Sequence, residues 1–214
     1  DHIWATSTAY DAVVKIDLDF NIKGFWEILG ENAQNCKILT DKMEITPETK
    51  TENDNYHINS LFVSNGSLRF SGLLTPLYNF DDMKEVCSVP TISMIDDNPG
   101  GNQHSFLHNF YEYDDVFVAN LTSYSAIGFF DKDFVGYGWY NNITIPRAKD
   151  VKYQVDDVAV NNWNRGLARI GEKLIIGSSP ARILVYDMKQ RKFEKEIVLE
   201  KDIRHAIHGL EILE

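Results

Sequence analysis

One phrase recurs along this chain, and one copy of it is divided between the two ends. Residues 164–187 read Asn-Arg-Gly-Leu-Ala-Arg-Ile, Gly-Glu, Lys-Leu-Ile-Ile-Gly-Ser-Ser, Pro-Ala, Arg-Ile-Leu-Val-Tyr-Asp: strand, tight turn, strand, turn, strand ending in an acid. Residues 108–131 repeat the pattern, from His108 through a turn at Asp114-Asp115 to Asp131. The last residues, His208 to Glu214, run into the first, Ile3 to Asp17, as the same phrase written head to tail. A repeat split this way implies a ring closed by its own first and last strands, which is how a β-propeller closes. The expected fold is therefore all-β, with four blades and five as the alternative count.

The blade boundaries follow from where the phrase restarts. First strands begin near 57, 108, 164 and 208, about fifty residues apart, which suits one four-stranded blade each. A single domain over 1–214 then holds blades at 206–214 plus 1–28, at 57–95, at 108–141 and at 164–199. Asn65-Gly66 supplies a hairpin turn, because both residues tolerate positive φ. Residues 29–56 break the pattern, with a polar run over Thr46–Asn55, and read as an insertion between blades. No long apolar segment of 3.6-residue period appears, so little helix is expected.

Charge narrows the partners. The chain carries 32 acidic and 21 basic residues, net −11, and such a surface repels phosphate backbones and anionic lipid. Nucleic acid and membrane are not expected partners; a small polar or anionic ligand is. No apolar run approaches a membrane span and no signal peptide is visible. Cys36 and Cys87 are far apart and form no metal-type pair, which argues against a disulfide framework and leaves one bridge open. Sequons stand at Asn65, Asn120 and Asn142. The compartment stays open, with the cytoplasm ahead of secretion or the periplasm, and so does the oligomeric state.

In a propeller the first strand of each blade lines the axis, and the starts of these strands meet at one face. Here those starts carry His57, His108, Arg165 and His208, with Asn59, Asn109 and Asn164 beside them. Five of the six histidines lie in or just before a first strand. Three imidazoles from separate strands can hold a divalent transition metal, zinc or iron, and leave a position open; neutral imidazole also suits proton transfer. His57, His108 and His208 are the candidate metal ligands. His208 is the candidate acid/base with Glu211, although strand alternation points Glu211 away from it. Arg165 can clamp a carboxylate or phosphate, Trp163 can flank the pocket, and the three asparagines can bond a ligand. The competing account is an axis filled by His and Asn bonded to backbone carbonyls. Tyr10, Tyr124 and Ser179-Pro180 sit in turns that rim the same face. Trp4, Trp26 and Trp139 read as packing residues.

The phrases His57-Ile58-Asn59-Ser60-Leu61, Leu107-His108-Asn109, Asn164-Arg165-Gly166-Leu167 and His208-Gly209-Leu210-Glu211 resemble a bacterial family of conserved hypothetical propeller-type proteins. Blades there open with His-Leu-Asn-Gly-Leu, Pro-His-Ser-Pro-Arg and Arg-Gly-Leu. The Pro and Arg around the second motif are absent here. The resemblance implies a fold and an axial residue set, and no reaction. The joined ends are also similar to a blade of the propeller-type glutaminyl cyclases, in which a Glu precedes Gly-Leu as acid/base. His208 stands at that position here, so the activity is not carried over. Two functions follow: a His-rich axial pocket binding a metal or small polar ligand, with catalysis open, or a non-catalytic protein-interaction propeller with a structural axis.

Overall fold

The computed structural model describes residues 2–28, 37–38, 57–64, 66–72, 75–80, 85–87, 107–113, 116–131, 141–153 and 161–213, and every statement below concerns these. They form four four-stranded antiparallel sheets, each a meander of strands consecutive in sequence. The first holds β1 (Ile3–Ser7), β2 (Ala12–Ile16), β3 (Ile22–Glu27) and β4 (Lys37–Ile38). The second holds β5 (Ile58–Ser64), β6 (Ser67–Gly72), β7 (Thr75–Asn79) and β8 (Glu85–Cys87). The third holds β9 (Leu107–Tyr113), β10 (Val116–Leu121), β11 (Ala126–Asp131) and β12 (Asn141–Thr144). The fourth holds β13 (Asn164–Ile170), β14 (Lys173–Ser178), β15 (Arg182–Asp187) and β16 (Lys192–Val198). Among the described residues no helix is long and apolar enough to cross a membrane. The fold is all-β and propeller-like.

Local chemistry makes the corners. Gly66 and Gly171 take positive φ, 78° and 55°, at the β5–β6 and β13–β14 turns, where a side chain would be strained. A wider corner recurs after β1 and after β10. In each, a threonine opens a 3-10 turn (Thr8–Tyr10 and Thr122–Tyr124), and a left-handed residue, Asp11 or Ser125, closes it. The backbone N–H of that residue donates to the threonine carbonyl, at 3.2 and 3.1 Å. The threonine hydroxyl then donates to the first residue of the next sheet: Thr8 to the Ile58 carbonyl at 3.0 Å, and Thr122 to the Asn164 carbonyl at 2.7 Å. One hydroxyl thus clasps the first sheet to the second, and another clasps the third to the fourth.

Burial fills the spaces between successive sheets. Val13, Ile28, Ile58 and Phe70 close the first against the second. Leu107, Phe110, Phe117 and Phe130 pack with Phe62 of the second. Val118, Ile127 and Ile143 of the third interleave with Leu167, Ile176 and Leu184 of the fourth. Period-2 alternation explains this, since each strand sends alternate residues to opposite faces and both faces of an inner sheet are covered. Trp4 stacks on Trp26 at 5.4 Å, the packing role expected of both; Trp139 lies outside the described residues.

The closing strand expected over 208–214 is not among the strands of the described residues. No strand pairing joins the first and fourth sheets among the described residues, and residues 205–213 belong to no strand. Ile207 seats against Gly166 and Gly177, register partners across β13 and β14, and donates its N–H to the Ser178 carbonyl at 3.4 Å. The tail lies against the fourth sheet, and among the described residues the strand paired with β1 is β2. Part of the expected insertion, Lys37–Ile38, is the outer strand of the first sheet; the rest of 29–56 lies outside the described residues, Cys36 with it.

Candidate functional site

The starts of the inner strands share a distortion. A register shift falls between Ile58 and Ser60 in β5, and another between Asn164 and Gly166 in β13. In β9 it falls beside Asn109, whose φ is +50°. An extra residue at each site bends the strand and re-aims a side chain. Asn59, His108 and Arg165 are the second residues of their strands, so all three are carried at equivalent places.

The predicted rings stand together beside these strand starts. His57 and His108 stand 6.2 Å apart between ring centroids, and His108 and His208 stand 6.5 Å apart, each pair edge to face. His108 is buried, and its Nδ1 lies 3.0 Å from the Thr122 hydroxyl. That hydroxyl spends its proton on the Asn164 carbonyl, so Nδ1–H of His108 donates to it. Arg165 Nη1 donates to Nε2 of His208 at 2.9 Å. A guanidinium has no acceptor to offer, so His208 is neutral and protonated on Nδ1. Its pKa is lowered by burial first, then by Arg165 and His57. Arg165 is itself half-buried, lies 4.8 Å over the Trp163 ring, and is lowered by burial.

The asparagines are spent on structure. Asn59 donates its amide to the Leu107 carbonyl at 2.8 Å, tying β5 to β9. Asn109 accepts from Asn120 at 3.1 Å. Asn164 is fully buried and donates to Asn120 at 2.7 Å and to the Ala126 carbonyl at 2.8 Å. Asn120 is likewise fully buried, so its sequon is closed to a glycan in the folded chain. Glu211 is exposed, and its charge contributes, after burial, to raising the Tyr111 phenol.

Among the described residues no group of three or more His, Cys, Asp or Glu side chains is placed to hold a metal ion. The donor set gives a reason: Nε2 of His208 already accepts from a cation, and a second cation beside Arg165 would meet its charge. The arrangement is chemically suited to an anion, with one guanidinium and the Nδ1–H of His208 in a partly desolvated place.

Three features were missed from the sequence. Arg182 is fully buried; it donates to Ser178 at 3.0 Å, Glu196 at 2.7 Å, the Pro146 carbonyl at 2.5 Å, and Asn162. An arginine flanked by apolar residues gives no hint of this. The clasping threonines had a signal, in the repeated phrases Ser7-Thr8-Ala9-Tyr10 and Leu121-Thr122-Ser123-Tyr124. The third is a cavity of about 530 Å³ at the junction of the third and fourth sheets, lined by Ser123, Ser125, Thr144, Arg147, Asn161 and Trp163 among others.

No protein-family model and no curated protein matches the chain. Solved structures do. The crystal structure of Saccharomyces cerevisiae Sqt1 is similar with a TM-score of 0.52 and 11% identity, over 92% of this chain and 63% of that one. A crystal structure of the mitotic checkpoint complex gives 0.45 and 11%, over 91% and 48%. The computationally designed Ika8 protein gives 0.43 and 10%, over 99% and 52%. The chain thus spans between 48% and 63% of the length of these structures. At 11% identity the likeness to Sqt1 speaks for the propeller-like fold alone.

Proposed function

We propose that this chain is a propeller-like protein-interaction module whose central cluster receives a carboxylate of a partner polypeptide. The observation that carries the reading is the placement of Arg165, half-buried over Trp163 and bonded to the neutral His208 ring. A partly desolvated guanidinium is a planar fork of N–H donors, and a carboxylate matches that fork. The neutral His208 ring adds its Nδ1–H beside it. The likeness to the bacterial propeller family belongs to the same proposal, as a shared axial set.

The test uses short peptides bearing a glutamate side chain or a free C-terminus, against the same peptides with each carboxylate replaced by its amide. The acidic forms bind at least roughly tenfold tighter, and Arg165→Gln removes the difference. Equal affinity for both forms, no binding by either, or an unchanged preference in Arg165→Gln overturns the reading. A small polar or anionic ligand in place of a peptide is the second reading. It is favoured by the cavity beside Trp163, with Arg147 and hydroxyls in its wall. A stoichiometric transition metal in protein purified without a His-tag, lost in His57→Ala, would restore the metal-pocket reading against both.

A further inference from the structure

The corners identify which strand is which. β1 ends in a corner that matches the one after β10: threonine, 3-10 turn, left-handed residue, and a backbone bond from the following segment. Ile28 donates to the Asp11 carbonyl at 2.7 Å, as Ile145 donates to the Ser125 carbonyl at 2.8 Å. β1 also meets β5 of the next sheet as β10 meets β13. So β1 is the equivalent of β10, a second strand. The first sheet then has a second, third and fourth strand in β1, β2 and β3, and β4 outside them. On its inner side, where the third sheet has β9 and the fourth has β13, β1 is an edge.

The fourth sheet shows the complementary deficit. Ser7 pairs with Ala12, Leu121 with Ala126 and Ser178 with Arg182 at the ends of their hairpins, so Thr8, Thr122 and Ser179 are equivalent. The two threonine hydroxyls clasp the first carbonyl of the inner strand that follows. The Ser179 hydroxyl is fully buried and has no hydrogen-bond partner. A buried hydroxyl left so is costly, and its site calls for an acceptor. The segment lying next to it is the tail: the Ile207 carbonyl is packed against Gly166 and Gly177, and Leu210 against Gly166.

We infer that residues 207–212 are the inner strand of the first sheet, clasped by Ser179 at the Ile207 carbonyl and paired antiparallel along the free edge of β1. The fourth sheet sets the register. Asn164 faces Ser178, Gly166 faces Gly177 and Leu167 faces Ile176. Matching Ile207-His208-Gly209-Leu210 to Asn164-Arg165-Gly166-Leu167 places Gly209 opposite Thr6, Leu210 opposite Ala5 and Glu211 opposite Trp4. His208 then falls on the extra residue of a bulge, the place Arg165 holds in β13. An open strand edge is a pairing surface, and this segment is already tethered beside the fourth sheet. The inference is independent of what the central cluster binds.

The experiment is a cysteine pair, Ala5→Cys with Leu210→Cys, in a chain also carrying Cys36→Ser and Cys87→Ser. Thr6→Cys with Val13→Cys, register partners across β1 and β2, is the control. The first pair oxidises within one molecule, as the control does. Amide exchange supplies the second readout without engineered thiols: Gly209 to Ile212 are protected, and Ser179→Ala speeds their exchange by roughly fivefold. If the control oxidises and the test pair stays reduced, or if the bridge joins two copies, the assignment is overturned. Tail amides that exchange as free chain overturn it as well.

Discussion

The junction of the third and fourth sheets and the open side of the first sheet are built from the same phrase and end differently. At the junction, apolar residues of both sheets interleave, Thr122 clasps Asn164, and Arg182 of the fourth sheet holds the carbonyl of Pro146 on the approach to it. The first sheet repeats the corner and the clasp toward the second, but among the described residues its other face gathers its own Tyr10, Ala12, Val14 and Phe25. The far side of the fourth sheet leaves Ile197 and Val198 exposed. The difference teaches that a sheet of this kind is completed from the sheet before it. Alternating strands supply the faces, but hydroxyl and guanidinium bonds fix where the next strand enters.

The largest effect tests the junction. Arg182→Met leaves Asn162 and the Pro146 carbonyl without their buried donor, and costs about 3–5 kcal/mol in chemical denaturation. Thr122→Val keeps the shape and removes both bonds of the clasp, leaving the Asn164 carbonyl and the His108 ring N–H unmet. It costs about 1–3 kcal/mol, and Thr8→Val, at a half-buried corner, costs less. The glycine notch comes next. A Cβ at Gly177 would stand 2.5 Å from Ile207 Cγ2, so Gly177→Ala releases the tail and makes residues 205–213 more open to protease. Ile207→Ala in the same chain restores protection if the notch is the cause. The smallest effect is on pH. His208 is held neutral when docked, so a released tail binds a proton more readily. Docking is complete above the ordinary imidazole value of 6.5 and weakens as pH falls below it toward the lowered value. Exchange of the tail amides follows that curve, and His208→Gln flattens it.

Much of the fold was legible because it rests on short-range signals. Asn65-Gly66 and Gly171-Glu172 marked hairpins, and the strand starts near 57, 108 and 164 stand at Ile58, Leu107 and Asn164. The meeting of His57, His108 and His208 was legible from the same phase. The uses of the residues beside them were not. Asn59, Asn109 and Asn164 offer amides that serve a ligand or a backbone equally well, and only the opposite strand decides. A buried cation such as Arg182 has four partners in four separate segments, and no local pattern announces it. The seating of the tail against the fourth sheet depends on two glycines about thirty to forty residues upstream of Ile207, a distance at which sequence patterning carries no information.

The corner threonine reaches forward in the chain, never back: Thr8 holds Ile58, and Thr122 holds Asn164. A fastening of that kind travels with the unit that carries it. Duplicating the coding segment for one such unit would yield a copy that arrives with its own means of gripping whatever follows, and tandem growth of the array would need no new joint.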